Sequence, residues 1–424
     1  MITKPKGTYD LYGLDASKFI FLEEEIHKLM KKYNYKFIRT PVFEEASLFH
    51  RAVGENTDIV SKETYDFTDR AGRNLSLRPE GTAGVVRSYI ENKMAFTGNN
   101  PQKLFYIAPM YRYERPQKGR YREFTQFGVE ALGSSSPYID AELIIMGVEL
   151  LKILGIEDYK VKLNSLGNEA SRLKYREDLV NYLKPHINDL CEDCKSRFET
   201  NPLRILDCKV DAGSAILKEA PKVKDSLDEE SKAFFDEVKK ILDVNLINYE
   251  IDDNLVRGLD YYSHTVFEIS SVIDDRELAI IGGGRYDALC AKLGGPDTPA
   301  AGFAMGIERA LSLMTSEIDD SLDVFVIGVS ELEKMEALKI IRELRNHGFS
   351  ADMSYLYKGL KAQFKEADRN KAKFICILNE EDLKNDEVML KNNRTREEER
   401  VFLEYLTNYL EEKLNLEEMY YEKN

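Results

Sequence analysis

The sequence predicts an α+β fold in which an antiparallel, strand-rich N-terminal domain carries a helical insertion and precedes a small α/β domain. Two strand-like segments, "QKLFYIAPMYRYE" and "REFTQFGVEALG", flank the polar "RPQKGRY", which is the pattern of a hairpin. Residues 168 to about 250 are rich in charged, helix-forming sequence. After residue 323, strands and helices alternate, as they do in α/β domains.

The elements of the N-terminal domain follow in order. Apolar residues at helical spacing predict a helix from Ser17 to Tyr33. The extended "YKFIRTPVFE" comes next, and Pro41 restricts it to an edge or a bulge. "NLSLRPEGTAG" predicts a strand and a turn before a helix, and Ser134 to Leu154 becomes helical after the hairpin. Strand-like sequence resumes after the insertion with "LVRGLDYYSHTVFEIS", "ELAIIGGGRYDAL" and "AAGFAMGIERALSLM".

The polar segment "TSEIDDSLD", Thr315 to Asp323, predicts a domain boundary, so we expect domains at 1–323 and 324–424. Beyond it, "VFVIGV", "SADMSY", "KFICILN" and "EVMLKN" predict strands of a parallel or mixed sheet. Helices are expected at Glu331–His347, Lys358–Asn370 and Glu397–Leu414.

Composition favours a globular protein of the cytoplasm, without a membrane anchor. The 424 residues are 43% apolar and 32% charged. No run of 18 apolar residues occurs, and "MITKPKGTYD" lacks the apolar core of a signal peptide. Five cysteines in a chain of this length do not make a disulfide framework.

The hairpin concentrates positive charge in an acidic chain. The net charge is −15, yet five basic residues fall within eleven positions; they are Arg112, Arg115, Lys118, Arg120 and Arg122. Net acidity argues against non-specific binding of nucleic acid. Arg112 lies in a strand and therefore needs either a carboxylate partner or an anionic ligand. The sequence has no Walker-type loop and no complete dinucleotide loop, so arginines would have to hold any nucleotide.

Taken together, these motifs carry a family resemblance over nearly the whole chain. Ile38 to Glu44, the basic hairpin and "AAGFAMGIERAL" resemble the three motifs of class II aminoacyl-tRNA synthetases. "LVRGLDYYSHTVFEI", "GGGRYD" and "LRPEGTAG" resemble signatures of the histidyl-tRNA synthetases. The resemblance implies an antiparallel-sheet catalytic core with an anticodon-binding domain. It also implies a homodimeric ligase that acts on L-histidine, ATP with Mg²⁺, and tRNA.

A non-catalytic paralogue that senses histidine or regulates another enzyme is the alternative. Such paralogues typically resemble the catalytic core only. The arginines of the motifs and a C-terminal domain of about a hundred residues favour the enzyme.

The resemblance assigns the arginines to ATP and to the chemical step. Arg112 and Arg309 would grip the phosphates from two sides, because preorganised cations stabilise charge that develops in the transition state. Arg120 would reach the distal phosphates or the tRNA end. Arg257 would lie near the histidine carboxylate and the α-phosphate, although it could instead be a structural partner of Asp260.

The implied histidine pocket comprises Glu80, Gly81, Thr82, Gln126, Glu130, Tyr261, Tyr262 and Tyr286. Gln126, Gly128 and Glu130 alternate along one strand, so the two polar side chains point to the same face. We expect the glycine between them to leave room for a ligand. The resemblance places Glu130 and Tyr262 at the two imidazole nitrogens, although Glu130 could instead balance the arginines on the neighbouring strand.

A cysteine-rich pattern in the insertion leaves two interpretations open. His186, Cys191, Cys194 and Cys208 form H-x4-C-x2-C-x13-C, which could bind zinc. The acidic, helical context and the family resemblance favour the absence of a metal.

A basic stripe recurs at helical spacing in the C-terminal domain. It comprises Lys358, Lys361, Lys365 and Arg369, with Gln363 and Phe364 alongside. The resemblance makes this stripe an expected contact for tRNA phosphates, and a solvated helix face is the alternative.

Overall fold

The computed structural model describes the chain except residues 55, 56, 58, 118, 201, 207, 209, 212, 257, 258, 260, 274, 275, 357 and 422–424. The chain forms two compact units, Met1–Glu317 and Ile318–Asn424. The division falls inside the polar segment Thr315 to Asp323. The predicted fold class is confirmed, because an antiparallel-dominated sheet with helices makes up the first unit and a mixed sheet with helices the second.

A large sheet forms the centre of the first unit. The strands of this unit are β1 (Lys36–Phe37), β2 (Phe43–Glu45), β3 (Tyr65–Thr68), β4 (Asn74–Leu77), β5 (Gln102–Tyr111), β6 (Glu123–Leu132), β7 (Lys160–Ser165), β8 (Glu250–Ile251), β9 (Ser263–Ile273), β10 (Arg276–Arg285) and β11 (Ala300–Gly306). The large sheet has the order β1-β5-β6-β11-β10-β9-β7-β8. The short edge strands β1 and β8 are each parallel to the strand beside them, β5 and β7 respectively. All the other pairings in this sheet are antiparallel. A small sheet contains β2-β4-β3.

The predicted hairpin is confirmed. Strands β5 and β6 pair from Gln102 opposite Leu132 to Tyr111 opposite Glu123. The extended segment "YKFIRTPVFE" is split into two strands on either side of Pro41. Strand β1 joins the large sheet, and β2 joins the small one. Buried Arg78 holds this crossing together, because its guanidinium donates to the carbonyls of Thr40, at 3.0 Å, and Pro109, at 2.8 Å.

Helices cover the sheet and fill the insertion. Those of the first unit are α1 (Leu14–Lys32), α2 (Ala46–Val53), α3 (Thr82–Glu91), α4 (Pro137–Ile153), α5 (Glu169–Leu183), α6 (Glu192–Thr200), α7 (Ala215–Lys218), α8 (Glu229–Val244), α9 (Leu289–Lys292) and α10 (Ile307–Leu313). Helix α4 begins at Pro137, where the Ser136 hydroxyl caps it. In the insertion, Leu179 and Leu183 of α5 belong to the same hydrophobic core as Tyr262 and Tyr286. The insertion therefore shares a core with the sheet.

The second unit has a mixed sheet, as predicted. Its elements are β12 (Val324–Ile327), α11 (Glu331–Asn346), β13 (Ala351–Met353), α12 (Leu360–Arg369), β14 (Phe374–Ile377), α13 (Glu380–Lys384), β15 (Glu387–Asn392), β16 (Glu398–Phe402) and α14 (Leu406–Tyr421). The order is β13-β12-β14-β15-β16, with β13, β12 and β14 parallel and the last two pairings antiparallel. Ser330 and Glu333 form a capping box that starts α11. Within the described ranges, no helix is long and apolar enough to span a bilayer.

The predicted helix Glu397–Leu414 is wrong in its first part. Residues Glu398–Phe402 form the edge strand β16, and helix α14 begins only at Leu406. Val401 is the one buried residue of this strand, which pairs with β15 from Glu398 to Phe402. The charged residues of "EERVF" concealed the strand, because a single buried position gives no alternating pattern.

Candidate active site

A pocket on the first unit brings together side chains that are distant in sequence. The turn before α3, the hairpin of β5 and β6, strands β10 and β11, and the start of α10 all contribute to its wall. The predicted site residues that line it are Glu80, Thr82, Arg112, Arg120, Gln126, Tyr261, Tyr262, Tyr286 and Arg309. Gly81 and Glu130 contact this lining from behind. Arg257 and its alternative partner Asp260 lie outside the described residues.

Glu130 is a buried carboxylate held by hydroxyl groups. Its side chain is 1% exposed and accepts hydrogen bonds from Thr82 Oγ1 at 2.7 Å, from Tyr106 at 3.5 Å and from the Tyr286 hydroxyl. Burial raises the pKa of Glu130 to about 8, although the hydroxyl donors oppose this shift. A buried acid with so perturbed a pKa is typical of a functional site.

Tyr106 takes the space that the sequence left for a ligand beside Gly128. A Cβ atom at Gly128 or at Gly81 would overlap the Tyr106 ring. Tyr106 is the direct cross-strand partner of Gly128, and directly paired residues lie side by side on one face of a sheet. The expectation of an open space at Gly128 is therefore wrong. The two glycines instead make room for an aromatic ring, whose hydroxyl reaches Glu130.

Glu80 caps helix α3. Its two carboxylate oxygens accept the backbone N–H groups of Thr82, at 2.7 Å, and Ala83, at 2.8 Å. Burial raises the pKa of Glu80, and the two backbone donors oppose the shift. Gln126 also lines the pocket, and its Oε1 is buried without a hydrogen bond from any residue that the structure describes. The Gln126 oxygen is an acceptor for a ligand donor.

Three tyrosines form one side of the pocket. The ring centroids of Tyr261 and Tyr262 are 4.8 Å apart, and that of Tyr286 lies 5.4 Å from Tyr261. All three side chains are buried. This packing fixes the rings before a ligand arrives, and the Tyr286 hydroxyl links the cluster to Glu130.

The opposite part of the pocket is cationic. Arg112 donates through Nε to the Pro79 carbonyl at 2.8 Å, and its guanidinium lies over the Phe124 ring. Arg309 donates to the carbonyls of Gly119, at 3.0 Å, and Ala279, at 2.7 Å. Burial, and next the charge of Arg120, lower the pKa of Arg309. These backbone contacts hold both guanidinium groups in place without neutralising their charge.

Two carboxylates on this side were not identified from the sequence. Glu114 lies 3.9 Å from Arg112 and 3.4 Å from Arg120. Glu308 lines the pocket as well, and its Oε1 accepts from the Tyr9 hydroxyl and from the Thr125 N–H, each at 2.6 Å. The partners of Glu308 come from remote segments, whereas those of Glu114 lie within the hairpin. The available signal was that each glutamate directly precedes an arginine, in "MGIERA" and in "RYER".

The "GGGRYD" signature has a structural part and a pocket part. Arg285 is 1% exposed, and its guanidinium pairs with buried Asp140 and donates to the Ser134 carbonyl at 2.9 Å. Tyr286, the next residue, faces the pocket. His264 does not line the pocket but packs against Phe234 at a ring-centroid distance of 5.0 Å.

The basic stripe is only partly exposed. Lys361, Lys365 and Arg369 are exposed on α12. Lys358 precedes the helix and forms an ion pair with Glu366 at 2.8 Å. Gln363 is buried and donates to the Gly328 carbonyl, so it lies on the inner side of the helix.

A pocket with a carboxylate side and an arginine side on an antiparallel sheet, followed by a mixed-sheet domain, defines a class II aminoacyl-tRNA synthetase. Residues 7–310 match the family described as histidyl-tRNA synthetase, and residues 323–413 match the anticodon binding domain. The chain belongs to the histidyl-tRNA synthetase family.

Similar proteins cover the whole chain. A histidine–tRNA ligase of Staphylococcus haemolyticus is 46% identical over 98% of this chain and 100% of its own length. One from Bacillus cytotoxicus is 47% identical over 97% of this chain and 99% of its own. The apo S. aureus histidyl-tRNA synthetase has a TM-score of 0.83 at 41% identity, covering 97% of this chain and 100% of that one.

Proposed function

We propose that this chain is a histidine–tRNA ligase that works in two steps. The carboxylate of L-histidine attacks the α-phosphorus of ATP, the bond to pyrophosphate breaks, and histidyl-adenylate forms. A ribose hydroxyl at the 3′ end of the tRNA then attacks the adenylate carbonyl, and AMP leaves. The observation that carries the proposal is a single pocket with buried Glu130 behind one side and Arg112 and Arg309 on the other.

The carboxylate side is suited to histidine. Glu130 would accept the N–H of one imidazole nitrogen, with Tyr262 at the other, and the free oxygen of Gln126 would accept from the substrate ammonium. Glu80 retains lone pairs beyond its two backbone bonds, so it is a second acceptor for the ammonium. Gly81 and Thr82 complete this wall through their contacts with Tyr106 and Glu130.

The arginine side is suited to ATP. Arg112 and Arg309 would hold phosphate oxygens, and Arg120, which is 42% exposed on its side chain, would reach the distal phosphates. Because Arg112 and Arg309 are fixed by backbone carbonyls, their charge is preorganised for the transition state. We retain Arg257 as the cation between the histidine carboxylate and the α-phosphate, on the family resemblance.

Magnesium would enter as the ion of ATP, and the pocket offers suitable ligands. Glu114 and Glu308 present carboxylate oxygens on the arginine side, and Mg²⁺ prefers such hard oxygen donors. When bound, the ion neutralises charge on the phosphates.

We assign catalysis and tRNA recognition to different parts of the chain. We assign adenylate formation to residues 1–323 and anticodon binding to residues 324–424, with Lys361, Lys365 and Arg369 as phosphate contacts. A homodimer is part of the proposal. Phe43 and Phe67 of the small sheet are exposed and pack edge-on against each other, and a partner subunit would cover this apolar surface. The cytoplasm is the compartment in which we expect the reaction.

Exchange of pyrophosphate into ATP tests the proposal. With Mg²⁺, the purified chain should support exchange with histidine and with no other standard amino acid, and it should then charge histidine tRNA. A regulatory paralogue would bind histidine without exchange. Dimeric, folded protein that binds histidine but catalyses no exchange would therefore refute the enzyme and favour the paralogue.

A further inference from the structure

Three cysteines and one aspartate of the insertion converge on a single point. Cys191 precedes helix α6, Cys194 lies in its first turn, and Cys208 and Asp211 follow in the irregular segment before α7. Their Sγ and carboxylate oxygen atoms all lie within 4.8 Å of one another. The sequence pattern paired these cysteines with His186, but the structure puts Asp211 in the fourth position and His186 beside the Tyr182 ring.

Two of the distances in this group are close to the edges of a tetrahedron around a metal ion. A zinc ion with Zn–S bonds of about 2.3 Å and a Zn–O bond of about 2.0 Å separates two sulfurs by about 3.8 Å, and a sulfur from an oxygen by about 3.5 Å. Cys191 Sγ lies 3.6 Å from Cys208 Sγ, and Cys208 Sγ lies 3.5 Å from Asp211 Oδ2. The sulfur separation is far longer than a disulfide bond, which is about 2.05 Å.

The surroundings are those of a closed structural site. Cys194 is 0% exposed and Cys208 4%, and both belong to the hydrophobic core of the insertion. Asp211 is oriented before any ion binds, because its Oδ2 accepts the Cys191 backbone N–H at 3.1 Å. Four protein ligands leave no open position for a substrate, which is the property that separates structural from catalytic zinc sites.

We propose that Cys191, Cys194, Cys208 and Asp211 bind one structural Zn²⁺ ion. This inference replaces the expectation, drawn from the sequence, that the chain holds no metal. The ion fastens the irregular segment before α7 to the start of α6. In the described part of that segment, regular structure is limited to the short helical turn Pro202–Ile205 and α7, so a metal would add a cross-link to the local turns there.

Elemental analysis of the full-length protein tests the proposal. The protein is purified without chelator, and any histidine tag is removed because a tag would bind zinc itself. We expect about one zinc ion per chain. Replacement by Co²⁺ should give the visible absorption of a tetrahedral thiolate complex. Chelation should release the metal and open the segment between α6 and α7 to protease, and added Zn²⁺ should restore its resistance.

Matched variants assign the ligands. Cys194→Ala should lose the zinc, whereas Cys376→Ala should keep it, although both thiols are 0% exposed in the wild type. Asp211→Ala should lower the zinc content, and Asp211→Cys should retain it because the fourth ligand is restored. If Cys194→Ala does not fold, alkylation of the wild type decides: chelator should make Cys191, Cys194 and Cys208 reactive together.

Several results would overturn the proposal. These are wild-type protein without zinc after growth in zinc-supplemented medium, zinc that Cys194→Ala does not remove, or stoichiometric iron in place of zinc. A Cys191–Cys208 disulfide in freshly isolated protein would overturn it as well, because those sulfurs would then be unavailable as thiolate ligands.

Discussion

Replacing Glu130 by glutamine would separate the recognition of histidine from the stability of the fold. The substitution keeps the shape of the side chain but removes its charge. The carboxyl pKa is raised from 4.5 to about 8, mainly by burial. Since one pKa unit corresponds to about 1.4 kcal/mol, the buried charge costs several kcal/mol once it is fully ionised. Glutamine does not bear this cost.

The sign of the pH dependence follows from proton uptake. Between pH 4.5 and about 8, the folded protein holds a proton on Glu130 that the unfolded chain has lost, so stability falls as the pH rises through this window. We expect the wild type to lose stability from pH 5 to pH 8 relative to Glu130→Gln, and the difference to level off above pH 8. Urea unfolding of both proteins across this range measures it.

Glu130→Gln should gain stability at high pH relative to the wild type but lose catalytic efficiency with histidine. A charge-assisted hydrogen bond contributes about 1.5–3 kcal/mol, so kcat/KM for histidine should fall about tenfold to a hundredfold in Glu130→Gln. The KM for ATP should change little, because our proposal assigns the phosphates to the arginines on the other side of the pocket. Pyrophosphate exchange above pH 8, where the wild-type carboxylate is ionised, is the assay.

Asp140→Asn is the matched control. Asp140 is also 1% exposed, but its carboxylate pairs with buried Arg285, whereas that of Glu130 accepts from hydroxyl groups of the pocket wall. Loss of the Asp140 carboxylate should destabilise the fold by up to about 3–5 kcal/mol, because the buried guanidinium of Arg285 would keep only the Asp287 carboxylate, at 3.1 Å, as a charged partner. The selectivity of the folded fraction for histidine should remain. Intact Glu130→Gln protein with histidine kcat/KM within twofold of the wild type would refute our assignment, and so would a loss of stability at pH 8.5 like that of Asp140→Asn.

Three other outcomes are expected. Gly128→Ala should lower the melting temperature and raise the histidine KM, since its Cβ would displace the Tyr106 ring; unchanged values in both measurements would contradict this packing. Arg257→Ala should slow adenylate formation by about 10²–10³ in single turnovers, with a smaller effect on transfer; equal slowing would indicate a structural role. Gln substitutions at Lys361, Lys365 and Arg369 should raise the tRNA KM and reduce the salt slope by about 2; an unchanged slope would identify a solvated face.

The fold was predictable where local patterns agree with long-range pairing. The hairpin of β5 and β6 shows long apolar strands on both sides of a polar tip, so its pairing follows from the sequence alone. The pairing of strand β16 with β15 could not be predicted in this way, because β16 has only one buried side chain, Val401. A run of charges there favours a helix locally, and only the neighbouring strand supplies the hydrogen bonds that make it extended.

The sequence motifs selected side chains that the structure brings together, but they did not show how these side chains pack. The motif resemblance named Glu130 in strand β6, Arg309 in helix α10 and Arg112, which was expected in a strand but follows the last residue of β5. They did not identify Tyr106, although counting inward from the hairpin tip places it directly opposite Gly128. The cysteine spacing indicated three residues of the proposed zinc site but not Asp211, because the aspartate joins them only through the path of the irregular segment.

The setting of Glu130 also suggests how the proposed pocket would select histidine by hydrogen bonding. The hydroxyl groups that donate to the Glu130 carboxylate carry no positive charge. They therefore offset only part of the effect of burial, and the pKa of Glu130 stays raised. In the proposed complex, an imidazole N–H would add a further donor and stabilise the ionised form, and this stabilisation would contribute to the binding energy. An amino acid without a ring nitrogen would fill the same volume but would donate no hydrogen bond to the buried carboxylate. A site built in this way rejects such analogues by roughly 10⁴–10⁵, because the unmade hydrogen bond costs more than the lost contact.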